Sequence, residues 1–136
     1  MRADVRPEKR SPTLGLFAGL EGATGLGLLL VPGVVIGLLF GPIEPAHGAL
    51  LLARLGGAGL LALGAASWAA RTFRRSPAGL GLLVVVTLYN GLAAGVLAYA
   101  AIGLDRRGVL IWPAILCHAA LFAWCLASAR EVLARR

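Results

Sequence analysis

The sequence predicts an all-α, polytopic integral membrane protein built as an antiparallel four-helix transmembrane bundle. Hydrophobic residues make up 59% of the 136 positions and charged residues only 14%. Mean hydropathy is +0.85, which is not how a soluble domain of this length reads. The charged residues cluster at the ends of four apolar runs, with Glu21 and Arg54 as exceptions.

The first run, Leu14 to Gly41, is apolar except for Thr24 and Glu21. As one helix it would rise about 42 Å, enough to cross a bilayer with tilt. It is too long for the apolar part of a signal peptide, so it is expected to be retained as a first helix. Before it, residues 1–13 form a basic tail in which Pro7 and Pro12 discourage a continuous helix. Helix 1 is expected over about 14–40, kinked near Pro32. Gly15, Gly19, Ala23 and Gly27 recur every four residues along it, a ribbon of small side chains that predicts close helix packing.

The link from Gly41 to His47 is rich in breakers and reads as a tight turn. Helix 2 is expected over 48–73, with its own small ribbon at Ala58, Ala62, Ala66 and Ala70. Helix 3 follows Pro77 over 78–102. Its Val84-Val85-Val86-Thr87 run would suggest a strand in water, but an unpaired strand is not viable in lipid. Gly91 and Gly95 again sit four apart. Helix 4 is expected over 109–129, with small residues at Ala119, Ala123 and Ala127, and residues 130–136 form a second basic tail. Trp112 falls near one end of its helix, and Trp68 and Trp124 near the opposite ends of theirs, as two interfacial belts require.

A formal charge of +7 raises the question of nucleic acid. The basic residues form no continuous groove or recognition helix, so nucleic-acid binding is excluded in favour of lipid headgroups. In a four-pass chain, ten Lys and Arg residues fall on the side of the termini, while only Arg106 and Arg107 are in the links opposite. The positive-inside bias therefore predicts a cell membrane, plasma or bacterial inner, with both termini cytoplasmic.

Four polar residues are the candidate binding or proton-exchange site: Glu21, Tyr89, Asn90 and His118. At 1.5 Å per residue, Glu21 stands about 16 Å above Arg10, Asn90 about 22 Å above Arg75 and His118 about 18 Å above Arg130, a common level. A charged carboxyl at that depth costs roughly 2.5 kcal/mol or more, so Glu21 must be protonated, paired or facing a wet cavity. One reading is interhelical glue. The other is a small site in which Glu21 supplies charge, His118 exchanges a proton, and Tyr89 with Asn90 offers neutral hydrogen bonds. Arg54 is expected to snorkel to the outer surface, or to pair with Glu44 or Asp105.

No metal or cofactor is expected. Cys117 and Cys125 are about 12 Å apart along one helix, too far to bridge, and with His118 they do not have zinc spacing. A membrane enzyme ranks third among the readings, because no nucleophile or metal set is visible.

The run Phe17-Ala18-Gly19-Leu20-Glu21-Gly22-Ala23-Thr24-Gly25 resembles the carboxylate neighbourhood of the small multidrug exporters. That resemblance implies a four-helix dimer dependent on Glu21. It covers this run alone, and the aromatic patterns of those exporters' second and third helices are missing. The leading expectation is therefore an accessory or structural subunit that packs on membrane lipids and other membrane helices. The alternative is a homodimeric proton-coupled small-molecule transporter using Glu21.

Overall fold

The computed structural model describes residues 10–73 and 76–134. Basic residues counted toward the orientation at positions 2, 6, 9, 74, 75, 135 and 136 lie outside the described residues. The chain forms α1 (Pro12–Leu30), α2 (Pro32–Phe40), α3 (His47–Ala70), α4 (Pro77–Gly103) and α5 (Ile111–Ala134). Four of them, α1, α3, α4 and α5, are long and apolar enough to cross a membrane. Large side chains such as Leu51, Leu52, Leu88 and Leu92 point outward, as they do where the solvent is lipid. The chain is a multi-pass α-helical membrane protein.

Two serines set helix starts. Ser11 accepts a hydrogen bond from the Leu14 amide at 3.4 Å and Ser76 from the Gly79 amide at 3.0 Å. Each is followed by a proline at the first helical position, where a missing N–H costs nothing. The tail expected from residue 130 is helical as far as Ala134, because α5 continues without a breaker.

The expected first helix is two helices. Steric pressure from Pro32 drives the residue before it off the helical region, and Val31 sits at φ −134° and ψ 55°. The Val31 amide still closes the last turn of α1 on the Gly27 carbonyl at 2.8 Å. Beyond it, the Val31 carbonyl accepts from the Val34 and Val35 amides and opens α2. A break of this kind frees carbonyls inside an apolar layer, and Arg54 answers it: its Nε donates to the Leu29 carbonyl at 3.2 Å. Arg54 thus turns to the helix break. Asp105, one of its expected partners, is engaged by Arg107 at 2.8 Å.

The helices associate as two close pairs, α1 with α3 and α4 with α5. In the first pair the backbones touch. A Cβ placed on Gly57 would lie 2.7 Å from the Gly25 carbonyl oxygen, and one on Gly64 would lie 3.1 Å from that of Ala18. The seam on α1 therefore runs through Ala18, Gly22 and Gly25. Between the pairs lies an apolar core of Leu14, Phe17, Leu83, Val86, Leu121 and Cys125.

At one end, the Ser11 amide bonds the Arg71 carbonyl at 2.7 Å and the Thr13 and Ser128 hydroxyls approach to 3.5 Å. The Arg71 guanidinium lies 3.6 Å over the Trp68 ring and also donates to the Trp68 carbonyl. At the other end, Asp105 takes a left-handed conformation (φ 49°) and the Arg106 amide bonds the Ala100 carbonyl at 3.0 Å, closing α4. The link then docks on α2 through the Leu110 amide and Leu38 carbonyl, 2.9 Å apart.

Candidate functional site

The polar residues of α1, α4 and α5 meet where the two helix pairs join. Tyr89 and Asn90 are neighbours on α4, and successive helical residues point about 100° apart, so one can face α1 while the other faces α5. The Tyr89 hydroxyl donates to Glu21 Oε2 at 3.0 Å. Asn90 Oδ1 and His118 Nδ1 lie 2.9 Å apart. Glu21 is 3% exposed and Asn90 0%; Tyr89 and His118 are half-buried.

Local helix geometry assigns the roles. Asn90 Nδ2 donates to the Val86 carbonyl one turn back at 2.8 Å, which fixes the amide's orientation and leaves Oδ1 for His118. Thr87 likewise bonds back, to the Leu83 carbonyl at 2.7 Å, and so withdraws from the centre. An amide oxygen only accepts, so His118 Nδ1 carries the hydrogen of that bond.

Aromatic rings tie the two bonded pairs together. Phe17, one turn before Glu21, meets the Tyr89 ring edge to face at 5.8 Å. Tyr89 meets the His118 imidazole the same way at 5.7 Å. Contacts of this kind are worth about 0.5–1.5 kcal/mol each, against about 0.6 kcal/mol for an interhelical hydrogen bond in a membrane. The Phe17–Tyr89–His118 column therefore matters at least as much to the register of the helices as the polar bonds beside it.

Glu21, Tyr89, Asn90 and His118 are thus brought together. Of the small residues expected to pack, Gly91 meets a neighbouring helix closely, while Gly15, Gly19 and Gly95 do not. Gly19 and Ala23 are exposed, and a Cβ on Gly15 or Gly19 would meet nothing within 4 Å. A Cβ on Gly27 would lie 3.1 Å from Val35 Cγ2 across the helix break. Gly91 accommodates the Phe122 ring, 3.1 Å from a Cβ placed there, while Gly95 faces open space. The Gly15-to-Gly27 ribbon consequently lies outside the close α1–α3 contact, and the seam that packs is one helical step round from it.

Beside the polar centre is a cavity of about 450 Å³ between α1, α2, α4 and α5, with His118 in its lining. Sequence reasoning missed it because it depends on the angle at Val31. Phe17 was missed as well, although a phenylalanine one turn from a buried carboxyl is a signal that could have been used. Among the described residues, no three His, Cys, Asp or Glu side chains come together to hold a metal ion.

The chain was compared with protein-family models, curated proteins and solved structures. None of the three comparisons finds a match. The functional reading therefore rests on the geometry alone.

Proposed function

We propose that this protein is a small accessory or structural subunit, an antiparallel four-pass bundle that works by packing its outer helix faces against other membrane helices. The observation that carries this reading is a shallow groove on the outside of the α1–α3 pair, floored by Ala18, Gly19, Gly22, Gly64 and Ala65 and flanked by Trp68. Small residues there let a third backbone approach the pair closely. The Glu21–Tyr89 and Asn90–His118 bonds then serve as register pins that hold the two pairs in one arrangement. Orientation with both termini cytoplasmic is supported by Arg10, Arg71 and Arg130 sharing one end of the bundle while Arg106 and Arg107 sit at the other.

The test is purification from native membranes after mild crosslinking. A stoichiometric membrane partner is expected. Gly19→Leu should abolish its capture while leaving the thermal stability of the isolated chain within about 0.5 kcal/mol, since the position is open. Recovery of the chain alone, or undiminished capture by the variant, would remove the proposal.

A second reading, a homodimeric proton-coupled transporter, is favoured by one specific observation: a buried carboxyl one aromatic contact away from a histidine that lines a cavity. Glu21→Gln separates the two. Its amide oxygen still accepts from Tyr89, so a packing subunit should lose about 1 kcal/mol or less of stability and keep its partner. A carrier loses proton-driven uptake in reconstituted vesicles completely, because an amide cannot exchange the proton.

A further inference from the structure

The 450 Å³ cavity has a composition that specifies a ligand class. It lies in the angle of the helix break, lined by Gly27 before the break, by Val35 and Leu38 after it, and by Leu110, Cys117 and His118 of the other helix pair. Among the described residues no charged side chain lines it, so neither an anion nor a cation finds a counter-charge. Several of its lining residues, including Thr24, Leu38 and Pro113, are also exposed on the outside of the bundle. The cavity is thus open to the surroundings of the bundle, which along its spanning helices are hydrocarbon.

Two polar side chains line it, Thr24 and His118, and what the imidazole offers is defined by the bond behind it. His118 Nδ1 is held by Asn90 and carries the hydrogen there, so Nε2 of the neutral ring is an acceptor. Among the described residues Nε2 has no hydrogen-bond partner. A cavity of this size holds about 15 heavy atoms at about 30 Å³ each.

We propose that the cavity binds an uncharged amphiphile drawn from the bilayer, with a hydroxyl that donates to His118 Nε2 and an apolar chain of about a dozen carbons lying between α2 and α5. The bond to Asn90 leaves the imidazole in the tautomer that accepts. This assignment is independent of the packing role proposed above and would stand if that role fell.

Cys117 provides a native reporter, because it lines the cavity while Cys125 is shut in the core. The full chain in phosphatidylcholine nanodiscs is treated with N-ethylmaleimide at about pH 9, where the thiolate fraction is raised, and alkylation of Cys117, expected in the probe-free protein, is followed by mass spectrometry. The probes are 1-dodecanol, its methyl ether, which lacks the donor, and dodecane. The alcohol is expected to protect Cys117 at a membrane concentration about tenfold below the ether and the alkane. His118→Phe should erase that difference, and His118→Gln, whose side-chain oxygen accepts, should restore part of it. Equal protection by all three probes in the unaltered protein, or protection by none, overturns the proposal. That comparison requires no variant and stands even where His118→Phe fails to fold.

Discussion

Gly57→Val is expected to separate α1 from α3 and to unfold much of the membrane-embedded part of the chain. The first added carbon would stand 2.7 Å from the Gly25 carbonyl oxygen, 2.9 Å from Leu28 Cβ and 3.1 Å from the Leu29 amide nitrogen. Two of these are backbone atoms of a facing helix and cannot rotate aside, so the helices must part along the seam from Ala18 to Leu29. Overpacking of this kind costs about 3 kcal/mol or more, a large part of the stability of a small protein. Denaturant titration in mixed micelles, followed by the fluorescence of the three tryptophans, should show the midpoint fall accordingly. Gly56→Val is the control. Its Cβ meets nothing within 4 Å, so it should shift the midpoint by less than about 0.5 kcal/mol, and equal damage from both would mean that the seam is misplaced.

Gly108→Ala is expected to lift the α4–α5 link off α2. A Cβ at this position would overlap the Leu38 carbonyl oxygen and the Leu39 carbonyl group, all backbone. Relief requires the link to move out, which breaks the bond between the Leu110 amide and the Leu38 carbonyl. The expected cost is about 2–3 kcal/mol. Hydrogen exchange at the Leu110 amide should rise from protected to the rate of an open loop, while amides in the middle of α3 keep their protection. Since Leu38 and Leu110 both line the cavity beside His118, the same variant should also alter access to Cys117. An unchanged Leu110 amide would show that the link does not rest on α2.

Much of the site's depth could be read along the chain, because every helix advances 1.5 Å per residue from a charged end. That arithmetic placed Glu21, Asn90 and His118 at one level. It could not choose their partners. That Tyr89 takes Glu21 while Asn90 takes His118 follows from how α4 is rotated between its two neighbours, and rotation leaves no trace in residue spacing. Arg54 illustrates the same limit: its partner is a backbone carbonyl released by a proline on another helix, which no pairing of charges would suggest.

The choice of packing face was equally illegible. In water a buried face is apolar and an exposed one polar, so periodicity separates them. Here lipid is as apolar as the helix interface, and Gly15, Gly19, Ala23 and Gly27 are spaced as well for packing as Ala18, Gly22 and Gly25 are. Only the mate on α3, with glycines at 57 and 64, decides between two ribbons that differ by about one residue in rotation.

The amino-acid sequence by itself determined the solvent of this protein, the four long apolar helices, a disturbance at Pro32 and the common level of its polar residues. These follow from hydropathy, proline sterics and a constant rise per residue, all of which act locally. The tertiary structure alone decided which glycines touch, which hydrogen bonds close and where a cavity is left. Those outcomes depend on the rotation and crossing of whole helices, and in hydrocarbon no difference in polarity marks that choice in advance.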